Sequence, residues 1–223
     1  MRGVLSTLHE IKVGWLVIGL ITFLLSFSIR AYRWGTLLED QPNKGSFQIR
    51  HAAVFIGFAA NQILPANAGE LVRSGILKRF SGISLSACVG SLFAARLLDA
   101  IVAFIFLFAP LLTLARTDNQ SFGGLPIIGL GLVLVFLCIT IGTISRHPTF
   151  IAKKVGTLTQ ILGMAHLEGK MVQRAERFLS GLTVFRSVRR TLISLIQTVC
   201  IWGISGITFW STLIAFDLHE PGF

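Results

Sequence analysis

Four uncharged apolar runs, Val13 to Ile29, Ala100 to Ala115, Gly124 to Ser145 and Thr191 to Phe216, decide most of what this 223-residue chain can become. A helix needs about 20 such residues to cross a bilayer, and the second run gains length once Leu97 and Leu98 are included. Hydrocarbon offers no water to backbone N–H and C=O groups, so spans of this kind fold as α-helices. Apolar residues make up 53% of the chain and charged residues 13%, which places it in the membrane class. The expected fold is an all-α integral membrane protein, residues 1–223 forming one transmembrane domain. Its spans are expected at about 13–29, 97–115, 124–145 and 191–216, with a re-entrant helical hairpin over about 47–80 and a cytoplasmic loop over 146–190.

The N-terminus places Arg2 and Lys12 ahead of an apolar stretch, as a signal peptide does. No small-residue cleavage pattern follows, and Arg30 and Arg33 close the run like a stop-transfer flank, so it reads as a retained span. Cys88, Cys138 and Cys200 lie within apolar segments, away from any His cluster, which supports neither a disulfide framework nor a zinc site. No metal and no cofactor is expected, and His51, His147, His166 and His219 carry no assigned role.

One apolar stretch ends abnormally. Asn61-Gln62-Ile63-Leu64-Pro65-Ala66-Asn67-Ala68-Gly69-Glu70-Leu71-Val72-Arg73 sets amides, a proline, a glycine and a Glu/Arg couple where a lipid-facing helix would not tolerate them. Broken backbone at membrane depth survives only when buried in protein or lining a wet cavity.

Charge placement decides how that segment runs. The chain carries 20 Lys and Arg against 10 Asp and Glu, and nine of the basic residues fall between Arg146 and Arg190. If Phe47 to Leu64 crossed fully, those nine would face the side opposite Arg30, Arg33, Lys44 and Arg50, against the positive-inside bias. If the segment dips, breaks at Pro65 and returns as a short helix from Gly69 to Phe80, sixteen of the twenty basic residues share the cytoplasmic side. The N-terminus then lies outside. A long helix from about Ser84 to Ala115 would measure about 48 Å, more than the roughly 30 Å hydrocarbon core, so it bends or begins along the interface. In the basic loop, Met171, Ala175, Phe178, Leu182 and Phe185 recur at helical spacing opposite Lys170, Arg174 and Arg177. Such a basic amphipathic helix suits anionic headgroups or the protein's own cytoplasmic surface equally.

The chemistry concentrates in the hairpin. Asn67 and Glu70 have capping-box spacing, which would start a helix near mid-membrane with its positive dipole end toward a cavity. Broken-helix ends of this kind hold phosphate or carboxylate. Arg73 suits a bidentate contact to a phosphodiester, and Asn61 and Gln62 can bond a headgroup or hold the hairpin. Arg96 and Asp99 form a second charged pair within an apolar helix. Arg96 can meet Asp99, or it can meet Glu70 and leave Arg73 free; the spacing allows both. Arg30, Arg33 and Trp34 read as interface anchors at the end of the first span, with a headgroup-recruiting role as the alternative.

The succession Arg30-Ala-Tyr-Arg33-Trp34, Gly57-Phe-Ala-Ala-Asn61-Gln-Ile-Leu64-Pro65-Ala-Asn-Ala-Gly69-Glu70-Leu-Val-Arg73 and Ala95-Arg96-Leu-Leu-Asp99 resembles the lysylphosphatidylglycerol synthase transmembrane region family. This flippase-like membrane domain occurs alone or fused to lipid-modifying synthases. Outside Arg30 to Asp99 the likeness is mainly one of hydropathy, together with the Leu179 to Phe216 region. Members usually start one span earlier and continue past Pro221-Gly222-Phe223, so the chain is read as a shortened member, and they commonly carry arginine where Asn67 stands. The resemblance implies a multi-pass protein of a prokaryotic inner or plasma membrane that translocates an anionic or aminoacylated lipid. By carry-over the site residues are Asn61, Pro65, Gly69, Glu70, Arg73, Arg96 and Asp99, to which the residue chemistry adds Gln62 and Asn67.

Three functions follow. The first is a flippase-like protein whose partner is membrane phospholipid. The second is a membrane subunit or enzyme for lipid-linked glycosyl or aminoacyl transfer, with Glu70 or Asp99 as acid or base. No cytoplasmic segment has room for a nucleotide-sugar or aminoacyl-tRNA domain and no Gly-rich phosphate loop occurs, so that reading needs a separate lipid-modifying partner. The third is a non-catalytic scaffold. A nucleic-acid partner is not expected, because the basic residues track the spans.

Overall fold

The computed structural model describes residues 11–65, 68–117, 129, 131–132, 140, 142–161 and 165–218. Among them every regular element is helical: α1 (Val13–Leu37), α2 (Phe47–Ile63), α3 (Gly69–Ser81), α4 (Leu85–Thr117), α5 (Pro148–Ile161), α6 (Glu168–Ser180) and α7 (Val188–Ala215), with 3₁₀ turns at Ala165–Leu167 and Thr183–Arg186. Three helices are long and apolar enough to cross a bilayer: α1, the Leu85–Leu107 part of α4, and α7. The all-α expectation therefore holds. The expected span from Gly124 to Ser145 lies mostly outside the described residues.

Helices α1 and α7 pack antiparallel through small and hydroxylated residues. Gly19 lies against Ser211 and the Thr208 carbonyl, and the hydroxyls of Thr22 and Thr208 share a 2.8 Å hydrogen bond. Such residues let two apolar helices approach closely where lipid gives no hydrophobic drive to associate. At the far end the Lys12 N–H donates to the Ala215 carbonyl (3.1 Å), and its Nζ pairs with Asp217 (2.8 Å). Val17, Leu20, Ile21 and Leu24 on α1, and Ile196, Ile207, Phe209 and Trp210 on α7, remain exposed. A continuous apolar surface of that kind is what lipid covers.

The segment after residue 46 turns back on itself. Ser46 caps α2 by accepting the Ile49 N–H (3.3 Å), and α2 ends where Leu64 becomes extended ahead of Pro65. Helix α3 then returns along α2. Glycines permit the contact: a Cβ on Gly69 would overlap the Gly57 carbonyl, and one on Gly57 would overlap the Arg73 side chain. The two arms measure about 25 Å and about 20 Å, each short of a full crossing. At the base of the hairpin, buried Arg50 fastens α2 to its surroundings. Its Nε donates to the Ala31 carbonyl of α1 (3.1 Å), and its Nη1 donates to the carbonyls of Lys44 (3.3 Å) and Gly45 (2.6 Å).

Helix α4 runs about 50 Å as one element, close to the helix expected from Ser84 to Ala115. Two apolar clusters share it. Cys88 and Leu92 face Phe27, Ala31, Trp34, Val54 and Leu77, while Ala94, Ala95 and Leu98 face Leu37, Ala152, Leu179 and Leu182. The basic loop holds two helices, of which α5 had no distinct signal in the sequence. The side chain of Gln160 on α5 donates to Glu168 on α6 (2.7 Å). The apolar side of α6 docks on the protein itself, with Val172, Ala175 and Phe178 against the second cluster. A Cβ on Gly90 of α4 would overlap the Phe178 carbonyl, so the contact is backbone to backbone. Lys170, Arg174 and Arg177 are left outside.

Candidate functional site

The two apolar clusters meet at a polar cleft. Trp34 and Leu92 belong to the first cluster and Leu37 and Ala95 to the second, and all four line it. Between them stand Arg30 and Arg33 from α1, Phe58 from α2, Glu70 and Arg73 from α3, and Arg96 and Asp99 from α4. Helical spacing explains the grouping, since residues three or four apart share one face. Four guanidinium groups thus surround two carboxylates, a surplus of two positive charges.

The pairings are tertiary. Arg33 Nη1 donates to Asp99 Oδ1 (2.6 Å) and to Thr198 Oγ1 on α7 (2.7 Å), and Nη2 lies 3.4 Å from Asp99 Oδ2. This pair is well buried, the side chains being 5% and 15% exposed. Arg96 turns to Glu70: its Nε donates to Glu70 Oε1 at 2.7 Å and its Nη2 contacts the same oxygen. Arg96 keeps a looser 3.7 Å contact to Asp99 Oδ2. Of the pairings left open by spacing, Arg96 with Glu70 dominates, and it does leave Arg73 free.

Arg30 and Arg73 form no ion pair among the described residues, and the Nε of each is buried without a hydrogen-bond partner. Each lies on an aromatic face instead. Arg73 Cζ sits 4.6 Å from the Trp34 ring centroid and Arg30 Cζ 5.2 Å from that of Phe58. Desolvated contacts of this type contribute about 2 kcal/mol each, less than a buried cation loses by leaving water. Trp34 is a fixed platform: its indole N–H donates to Ser91 Oγ (2.9 Å), which donates in turn to the Cys88 carbonyl (2.7 Å).

Several sequence expectations change here. Arg30, Arg33 and Trp34 do not snorkel to an interface; α1 continues two turns past Arg30 and directs all three inward. Asn61 builds the hairpin, its Oδ1 accepting the Gly69 N–H at 2.7 Å. The first amide of α3 is therefore already satisfied, and of the first turn of α3 the cleft is lined by the Glu70 side chain. Glu70 gives its carboxylate to Arg96 rather than to a capping box, and the N-cap position is Ala68, without a side-chain bond. Pro65 is exposed and marks the break; Asn67 lies outside the described residues. Gln62 lines a different depression with Phe23, Phe27 and Phe55. Phe58, Ser91 and Thr198 were missed, because single aromatic or hydroxyl residues in apolar helices carry no distinguishing pattern.

The cleft has about 380 Å³ between its walls and its open mouth, and little of that is wide enough for water. Beside the cleft an apolar groove of about 840 Å³ runs along Leu71, Val89, Phe93 and Phe178, sharing Glu70, Leu92 and Arg96 with it. No cluster of His, Cys, Asp and Glu able to hold a metal occurs among the described residues.

Apolar spanning helices around an inward-facing arginine cleft define an all-helical membrane protein. Residues 1–223 match the family model of the lysylphosphatidylglycerol synthase TM region, and the chain belongs to that family. Comparison with curated proteins and with solved structures gives no match.

Proposed function

We propose that this protein binds an anionic or modified lipid by its headgroup in the arginine cleft and moves it between leaflets. One observation carries the reading: Arg30 and Arg73 are cations without carboxylate partners, next to a groove fit for acyl chains. A phosphodiester offers each the acceptor it lacks, in the geometry a guanidinium binds best. The hairpin of α2 and α3 is re-entrant in this reading, opening the cleft near membrane mid-depth, as in transporters built on broken helices. The protein is multi-pass in the inner or plasma membrane of a prokaryotic cell, and a lipid-modifying enzyme is its natural supplier of substrate.

The test is leaflet exchange of a fluorescent phospholipid in liposomes. Arg73→Ala is expected to lower exchange at least tenfold and Arg73→Lys to restore part of it, while Arg177→Ala on the outer face of α6 leaves it unchanged. Equal exchange in Arg73→Ala and the unaltered protein refutes the reading. So does absence of exchange when an added lipid-modifying enzyme gains activity, which makes the protein a partner subunit.

A further inference from the structure

We infer that the apolar groove between α4, α5 and α6 holds an anionic phospholipid, with an acyl chain along its walls and its phosphate on Arg174. This is a resident lipid, separate from the one proposed for the arginine cleft.

Glycines pin the three helices together at points and leave a space between those points. At the end of α6 a Cβ on Gly181 would overlap the Ser91 nitrogen and the Ala87 carbonyl of α4, and a Cβ on Gly156 of α5 would overlap Val172 of α6. Between the contacts Ser86, Val89 and Ala175 are too short to fill what remains, about 1140 Å³ between the walls and an open mouth. Leu85, Phe93 and Met171 stand exposed along it. Protein interiors close-pack, so an apolar space of this size calls for a guest made of hydrocarbon. The groove continues through Val89, Phe93 and Phe178 into the one beside the cleft. Together they flank α4 from Leu85 to Arg96, about 17 Å of helix.

Charge selects the guest. Arg174 is the one charged residue in the described lining, and it has no ion pair among the described residues. An arginine lays its carbon stem on apolar surface and turns its guanidinium outward, where a phosphodiester can meet it with two parallel hydrogen bonds. Lys170, one turn earlier on α6, is exposed as well. Charge placement puts this loop on the cytoplasmic side, whose leaflet supplies anionic lipid.

Met171→Trp sets a fluorophore in the groove, away from Trp15, Trp34, Trp202 and Trp210 on α1 and α7. The full chain is placed in phosphatidylcholine vesicles holding a small fraction of either phosphatidylglycerol or phosphatidylcholine with brominated chains, and quenching beyond that of the unaltered protein is measured. Brominated phosphatidylglycerol is expected to quench about fivefold more, the preference one cation gives at an anionic surface. Arg174→Gln should bring the ratio to about one, whereas Lys153→Gln, an equal charge loss on the exposed side of α5, should leave it unchanged. Arg73→Ala should also leave it unchanged, so failure of the cleft reading and failure of this one are told apart. Equal quenching by the two lipids with Arg174 intact overturns the inference, as does a preference that survives Arg174→Gln. A reporter shielded from both lipids in a protein that cross-links as a dimer overturns it too, and shows a second copy over the groove.

Discussion

Replacing Asp99 by Asn tests the pairing scheme at its most buried point. Arg33 and Asp99 are 5% and 15% exposed and meet at 2.6 Å, so removing the negative charge leaves a buried guanidinium with neutral acceptors alone, the new amide oxygen and Thr198. Breaking a buried pair from one side costs about 3–5 kcal/mol, and the partial exposure of Asp99 places the loss near the lower end. For a chain of this length that corresponds to about 6–12 °C in melting temperature. The reverse change, Arg33→Leu, leaves Asp99 with Arg96 at 3.7 Å and is expected to cost about 1–2 kcal/mol. Combining Arg33→Leu with Asp99→Asn removes both charges and is expected to recover most of the loss. Melts in detergent followed by circular dichroism, arranged as a double-mutant cycle, measure all four states. Equal costs for the two single changes, or a double variant no better than Asp99→Asn, would refute the pairing logic.

Two more expectations concern the hairpin and Asp40, just beyond the end of α1. Gly69→Ala drives a Cβ into the Gly57 carbonyl and is expected to destabilise by about 2 kcal/mol or more, whereas Gly75→Ala, with nothing near its Cβ, is neutral or stabilises by up to about 1 kcal/mol; detergent melts compare them. Burial raises the Asp40 carboxyl, but hydrogen bonds from Thr183 and Arg190 outweigh it and hold the group below its usual range. A depressed carboxyl stabilises the fold above its unfolded value of about 3.9 and loses that contribution as pH falls through the folded value. The stability gap between the protein and Asp40→Asn should therefore be present near neutral pH and vanish in acid. A gap that grows on acidification would contradict the sign.

How much could be read in advance differs from residue to residue. Helices α1, α4 and α7 were legible because uncharged runs of that length have one solution in lipid, and the fold-back of α3 onto α2 was legible because Pro65 ends the incoming helix and charge placement favoured a return. The partners of Arg96 and Asp99 were not. Spacing of three residues makes neighbours of Arg96 with Asp99 and of Glu70 with Arg73, but the rotation of α1 against α4 brings Arg33 to Asp99, and rotation leaves no trace in a single sequence. Trp34 misled because Arg-Trp at the end of an apolar run looks the same whether it meets headgroups or turns inward. Helix α5 stayed hidden since Lys153 and Lys154 break its apolar pattern within a loop already rich in charge.

The hold of Arg50 on Ala31, Lys44 and Gly45 sets the mechanics of this molecule. With one end of α2 riveted to α1, a hairpin that pivots at all would do so as a lever, with its fulcrum at this base. Any swing is then smallest beside Arg50 and largest at the bend after Leu64, which carries the start of α3. Glu70 rides on that far end, so a small rotation about the fulcrum is delivered, magnified, to its bond with Arg96.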